Sequence, residues 1–356
     1  MKKQFVTLAA ILCILFPFMF ISCATTVNVR LTRPANLDLN GAKTIAILPF
    51  KPYAYYLESK ATSGVEVLIN SFYQIFSFND LDEQQAIDSL RSQLERGLLD
   101  SEYIQLVSAD AVEKAVRKGY INPADVYLTG EVTYFDVENS KTEEKKLVKA
   151  AKDNQKAEYK IQRYWKRTVT FNFRYQVVDS STDKVISFDE IYIKNSSAKY
   201  EAKGALPSAY SLIESDLKAS ARKILQNLQP YVVTKSIKLL EPKTKDKELK
   251  KRMKAADELA DDNQLKKASA EFQKIYEETD LLEAGYNAAI LQEAMGNLSL
   301  AEEMMMDLYN HYPDQRVSKG LSDIRYEISQ ANRLQKQIKK ADANSSDYED
   351  LDDLNF

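Results

Sequence analysis

Apolar positions are spaced in two different ways along this chain, and the change of spacing falls near residue 241. Ahead of it, strand signals dominate. Thr44-Ile45-Ala46-Ile47-Leu48-Pro49-Phe50 is a short, nearly continuous apolar run ended by proline, the pattern of a strand covered on both faces. Tyr103 to Val107 predicts a second strand, and Val126, Leu128, Gly130, Val132 and Tyr134 share one face of a third. Val169, Phe171, Phe173, Tyr175 and Val177 alternate with polar residues, the cleanest period-two stretch in the chain. Asp179 to Asp183 then predicts a turn, with Val185 to Ile193 returning as the partner of a hairpin. Helical stripes lie between these strands. Residues 64–78 are apolar on several sides, and residues 83–98 place Ile87, Leu90, Leu94 and Leu98 on one face behind Asp80 or Asp82 as a cap. Ser108 offers a cap to a helix through Lys118 that Asn122-Pro123 ends, and 208–228 carries Leu212, Ile213, Leu217, Ile224 and Leu228. Tyr231 to Leu240 reads as a last strand. The order predicts an α/β mixed-sheet domain with helices over 44–240.

Beyond that point the pattern is helical. Glu241 to Lys251 is a charged linker containing Pro242, overlapping the start of an all-α helical-repeat domain over 249–340. Residues 341–356 hold six acids and no Lys or Arg, a composition that predicts a disordered tail. At the other end Lys2 and Lys3 precede an apolar run from Phe5 to Ile21 and then Ser22-Cys23, which predicts a secretory signal over residues 1–22. An uncleaved spanning helix is the rival, since the run nearly reaches spanning length; Pro17 and the abrupt Ser-Cys end oppose it. Phe20-Ile21-Ser22-Cys23 resembles the lipobox of bacterial lipoproteins, with Phe20 and Ile21 where a leucine and a small polar residue are usual. The resemblance implies cleavage before Cys23 and lipid on its sulfur. Residues 23–43, with Thr25-Thr26, Asn28 and Arg33-Pro34 between short apolar pairs, read as a tether.

Composition narrows the chemistry. Cys13 and Cys23 are the two cysteines, so a lipidated Cys23 leaves no thiol for disulfides, nucleophilic catalysis or cysteine-rich zinc sites. Losing Lys2 and Lys3 with the signal moves the net charge from −3 to −5, which excludes a basic nucleic-acid-binding stripe as the dominant feature. His311 is the single histidine, no G-x-S-x-G, P-loop or G-x-G-x-x-G occurs, and nine glycines leave little for phosphate cradles. No catalytic, cofactor-binding or metal-binding residue is therefore expected, nor any cofactor beyond the covalent lipid.

Two further resemblances cover most of the remainder. Arg33-Pro34-Ala35, Leu37, Leu39 and Gly41 leading into Thr44–Phe50, then Leu94 to Val107, Ala124-Asp125-Val126-Tyr127-Leu128-Thr129-Gly130-Glu131-Val132, and Val177-Val178-Asp179-Ser180-Ser181-Thr182-Asp183-Lys184-Val185 resemble, in order, the soluble domain of the curli-secretion lipoprotein (CsgG) family. Channel members of that family thread two β-hairpins through the outer membrane. Here Ser140 to Arg163 has twelve charged residues in twenty-four and reads as a charged helix or loop, and 195–207 is short and broken by Gly204 and Pro207. The resemblance thus implies the soluble fold without the channel. The helical part resembles tetratricopeptide repeats: Tyr286-Asn287-Ala288-Ala289, Gly296-Asn297-Leu298, Ala301, Met305, Leu308 and Pro313 form one copy. Ala255-Ala256, Leu259, Asn263, Leu265, Ala268, Phe272 and Ile275 form an earlier one, with 316–340 as a cap helix.

Tyr53, Tyr55 and Tyr56 follow the first strand and Pro49 and Pro52, where tyrosines either fill a core or meet a partner. The expectation is a non-enzymatic envelope lipoprotein that binds other envelope proteins as an adaptor or assembly factor. A subunit of an outer-membrane secretion or transport assembly is the alternative, and a carboxylate-based hydrolase ranks below both. Ala24, in place of an inner-membrane-retaining aspartate, favours the outer membrane, facing the periplasm.

Overall fold

A computed structural model describes residues 25–53, 81–118, 123–150 and 157–345. The signal sequence, Cys23, Tyr55, Tyr56, the 64–78 helix and the tail beyond Ser345 lie outside the described residues. The chain is a mixed α/β protein that divides into two compact units, one of Arg33–Tyr231 with the chain from Arg333, the other of Val232–Asn332 with the chain up to Thr32.

In the α/β unit, β2 (Thr44–Ile47) is flanked in parallel by β3 (Gln105–Val107) and β4 (Val126–Lys149); β5 (Glu158–Asp179) and β6 (Val185–Ser196) then add antiparallel, giving the order β3-β2-β4-β5-β6. Ile45, Ala46 and Ile47 are all buried, as the continuous apolar run predicts. Ile45 and Ile47 face α1 (Leu81–Leu99) and α3 (Ala209–Leu228), whose stripes Ile87, Leu90, Leu94 and Ile213, Leu217, Ile224 close the main core over Phe171 and Phe173. Ala46 and Leu48 face the other way, toward Val112 of α2 (Ala109–Arg117). The β5–β6 turn is fixed by Asp179, whose carboxylate accepts from the Ser181 and Thr182 amides at 3.0 Å, with Asp183 in the left-handed region at φ 56.

Two expectations are corrected in this unit. Residues 140–149 and 158–163 are strand and not a charged helix or loop: β4 and β5 pair from Val126↔Asp179 out to Lys149↔Glu158, with register shifts at Val132/Tyr134 and Leu147/Lys149, and 151–156 lie outside the described residues. Opposed charges let a polar ladder form where hydrophobic alternation is missing, as Arg163 meets Glu143 across the strands at 2.8 Å. Residues 35–43 are not a free tether either. Gln337 donates to the carbonyls of Ala35 and Leu37 at 3.0 and 3.1 Å and accepts from the Ala35 amide at 3.0 Å, while Lys340 pairs with Asp38 at 2.6 Å.

The second unit supplies a third correction. Its small sheet pairs β1 (Thr26–Arg33) with β7 (Tyr231–Lys238), so β7 belongs with the helices and does not close the larger sheet. Val27 and Val29 are buried and Asn28 and Arg30 exposed, a clean alternation inside the segment read as a tether. Helices α4 (Lys247–Asp261), α5 (Leu265–Thr279), α6 (Leu282–Ala294) and α7 (Leu298–His311) follow, each packed on the next, and α8 (Gln315–Ser345) begins in this unit. Ala288, Ala289 and Ala301 are fully buried at the helix contacts. Asn263 and Gly296, at equivalent turns, both take positive φ (60 and 81). Asn287, also fully buried, clasps the backbone just after β7: its Oδ1 accepts from the Leu240 amide at 2.7 Å and its Nδ2 donates to the Leu240 carbonyl at 3.0 Å.

Asp257 on α4 is a local misfit. Its buried Oδ1 lacks a hydrogen-bond partner among the described residues, and burial first, then Asp261, Glu241 and Glu258, pushes the carboxyl up to about 7. The folded chain therefore holds a proton that the unfolded chain releases near its ordinary value of 3.8, and stability drains away as pH rises from there to about 7. Asp257→Asn should raise the thermal midpoint at pH 8 by the equivalent of about 1 kcal/mol, allowing for the group's partial exposure. At pH 3 the gain should vanish; thermal melts at the two pH values check this, and equal gains at both would refute it.

Candidate functional site

The side of the larger sheet opposite α1 and α3 carries an exposed aromatic row. Register aligns Tyr134 of β4, Asn172 of β5 and Tyr192 of β6 across three strands, and Glu131, Arg174 and Glu190 in the next row. Tyr134, Phe188 and Tyr192 are 41%, 56% and 63% exposed, well above what aromatic residues in a packed core show. They face this way because Phe171, Phe173 and Tyr175 take the core side, leaving the alternate positions outward. Arg174 reaches Glu131 at 3.7 Å and lies 5.7 Å from the Phe188 ring, so a cation and flanking carboxylates interrupt the aromatic surface.

Tyr192 also borders a cleft of about 330 Å³ between β6 and α3, lined by Asn36, Tyr175, Asp189, Lys223 and Asn227. A hydrogen-bond relay runs along it: Asn36 Nδ2 donates to Asn227 Oδ1 at 3.0 Å, Asn227 Nδ2 to the Tyr175 hydroxyl at 3.1 Å, and that hydroxyl to Asp189 Oδ2 at 3.3 Å. Burial, then the adjacent Asp189 charge, pushes the Tyr175 phenol up to about 12, so it stays a donor at neutral pH. These are groups for holding a polar ligand in orientation. Among the described residues, no group of three or more His, Cys, Asp or Glu side chains is placed to hold a metal ion.

Of the residues singled out in the sequence, Cys23, Tyr55 and Tyr56 lie outside the described residues. Tyr53 is half-buried: its amide donates to Glu83 Oε1 at 2.6 Å, and its ring packs against the main core and meets Tyr134 edge-on at 5.8 Å. It therefore joins packing to the margin of the aromatic face. The lone histidine, His311, meets Asp280 at 3.2 Å on the surface of the helical unit. Sequence reasoning missed Phe188, Tyr192 and the Tyr175 relay. The alternation of β5 is enough to place Asn172 and Arg174 outward, but only the β5–β6 register shows which β6 residues join them.

No family model and no curated protein matches this chain. Solved structures similar to part of it exist. The PelC dodecamer from Paraburkholderia phytofirmans is 14% identical over 57% of this chain and 97% of its own, with a TM-score of 0.21. Lipoprotein GNA1162 from Neisseria meningitidis is 13% identical over 51% and 97%, TM-score 0.26. A DUF330 protein from Xanthomonas campestris is 11% identical over 55% and 87%, TM-score 0.29. Scores this low carry no argument about what the chain does. Among the described residues, no helix is long and apolar enough to cross a membrane.

Proposed function

We propose that this chain is a non-enzymatic lipoprotein of the bacterial cell envelope, held on the outer membrane by lipid on Cys23, that acts as a protein–protein adaptor or assembly factor. Its α/β unit is read as related to the curli-secretion lipoprotein family and its helices as tetratricopeptide-like repeats with α8 as their cap. The observation that carries the adaptor reading is the exposed face of Tyr134, Phe188 and Tyr192, because large aromatics are the residues most enriched at protein interfaces. Photo-crosslinking from position 192 of the full lipidated chain in intact cells, followed by mass spectrometry, tests it. A discrete envelope partner should be captured, and Tyr134→Ala with Phe188→Ala should abolish the capture while circular dichroism stays unchanged. Crosslinks scattered over abundant proteins and insensitive to both substitutions would refute it.

One observation favours the transport alternative: β4 and β5 remain paired out to Lys149 and Glu158, at the position where channel members of the resembled family carry a membrane hairpin. The paired Glu143 and Arg163 weigh against that hairpin entering hydrocarbon. Heat-resistant oligomers in detergent with ring-shaped particles would support transport over the adaptor.

A further inference from the structure

The helical unit starts very close to the anchoring cysteine. Ala24 and Thr25 alone separate Cys23 from β1, and the Thr25 carbonyl already accepts from the Leu239 amide at 2.9 Å. Three residue steps reach at most about 10 Å, so a lipid on Cys23 would hold this end of the unit within about one Debye length of the headgroups.

The chain that follows the partner of Thr25 is basic. Lys238 directly precedes the residue that pairs with Thr25, Lys243 and Lys245 follow in the connector, and Lys247, Lys250, Lys251 and Lys254 sit on α4. All seven are exposed. From Lys238 to Lys254 the chain carries eight basic and three acidic residues, against a net of −3 for the whole sequence. The four on α4 are spaced i, i+3, i+4, i+7 and so form one stripe, opposite the buried Met253, Ala256 and Ala260. Arg252, off the stripe, is engaged by Glu271 and Glu278. Of the seven lysines only Lys254 forms an ion pair among the described residues, with Glu258 at 3.5 Å.

Folding does not account for this arrangement. Cations in the first turns of a helix oppose its macrodipole. Like charges at i, i+4, here Lys247/Lys251 and Lys250/Lys254, weaken a helix further. A stripe that costs helix stability and is left largely without counter-charges among the described residues fits an anionic surface from outside the chain.

We propose that Lys238, Lys243, Lys245 and the α4 lysine stripe dock on anionic lipid headgroups of the membrane that bears the anchor, as the second of two membrane signals. This rests on the reading of Cys23 as lipidated. Lipid with an adjacent polybasic patch is a combination that converts marginal attachment into stable attachment.

The test uses the mature chain with Cys23→Ser, which has no lipid, co-sedimented with phosphatidylcholine vesicles and with vesicles containing about one third phosphatidylglycerol. Binding should be confined to the anionic vesicles and fall steeply with added salt. Lys247→Gln, Lys250→Gln, Lys251→Gln and Lys254→Gln together should weaken it by about fivefold for each lysine that reaches the surface. A second variant, Lys238→Gln with Lys243→Gln and Lys245→Gln, leaves α4 intact and should weaken binding by the same factor per lysine, which keeps the proposal open to refutation if the first fails to fold. Equal binding to both vesicles, no binding to either, or wild-type binding by both variants would each overturn the proposal, and no binding to either would point to an acidic protein surface. The mass of the N-terminal peptide from the native membrane-extracted protein reports separately on Cys23. An unmodified cysteine there, with vesicle binding intact, would overturn the anchor and leave the patch standing.

Discussion

Cys23→Ala should shift the protein almost entirely out of salt-washed membranes, or leave it as an unprocessed precursor, while native protein stays with the membrane until detergent is added. The expected effect is close to all-or-none. The proposed anchor makes the lipid the chief attachment expected; among the described residues no helix is long and apolar enough to span a bilayer, and the charged β4–β5 hairpin is poorly suited to do so. The salt wash matters because lysine contacts with anionic headgroups are screened, whereas a buried acyl chain is not. Fractionation with immunoblotting reads the outcome, and mass spectrometry of the N-terminal peptide reads its cause. Native protein with Cys23 in place that is membrane-bound, unlipidated and still carries residues 1–22 would sink the anchor.

The second large effect is on folding. Asn287→Ala should cost the helical unit about 2–4 kcal/mol, summing two lost hydrogen bonds and the stranding of the Leu240 amide and carbonyl. Asn287 is fully buried and Leu240 partly so, which restricts water from taking the place of the amide. Urea unfolding followed by circular dichroism gives the number, and a loss below about 0.5 kcal/mol would show that the clasp contributes nothing. Asn287→Asp is the informative companion. It keeps the shape and the acceptor, turns a donor into a second acceptor beside the Leu240 carbonyl, and should cost at least as much.

How far the sequence speaks for itself varies with the element. β2 and the core side of β5 are legible because their side-chain pattern is their environment: Ile45 to Ile47 buried on both faces, Phe171 to Val177 alternating. The outer part of the β4–β5 hairpin is not legible, because what holds it is a backbone ladder plus cross-strand charge pairs such as Glu143–Arg163, and neither leaves a hydrophobic period. β1 shows a different failure. Its alternation is present in Val27, Val29 and Leu31, but its partner lies beyond residue 230, and no local pattern says whether an isolated strand will find one. The aromatic face behaves similarly: Tyr134 and Tyr192 are far apart in sequence and come into one row, on either side of Asn172, through the register of β5. The lysine stripe on α4, by contrast, is visible in the sequence only as a charged linker, because its meaning depends on where β1 begins.

The clamp of α8 on the segment after β1 also sets an order of events during folding. Ala35 lies early in the chain, yet its partner Gln337 follows 302 positions later, and Asn28 waits 208 positions for Ser236. Contacts this remote in sequence form late, since most of the chain must be present before they can close. The stretch from Ala35 to Asp38 is thus among the earliest made and the last secured. A chain cut short before Arg333 could still pair β1 with β7, but it would leave that stretch without the side chains that α8 supplies to it.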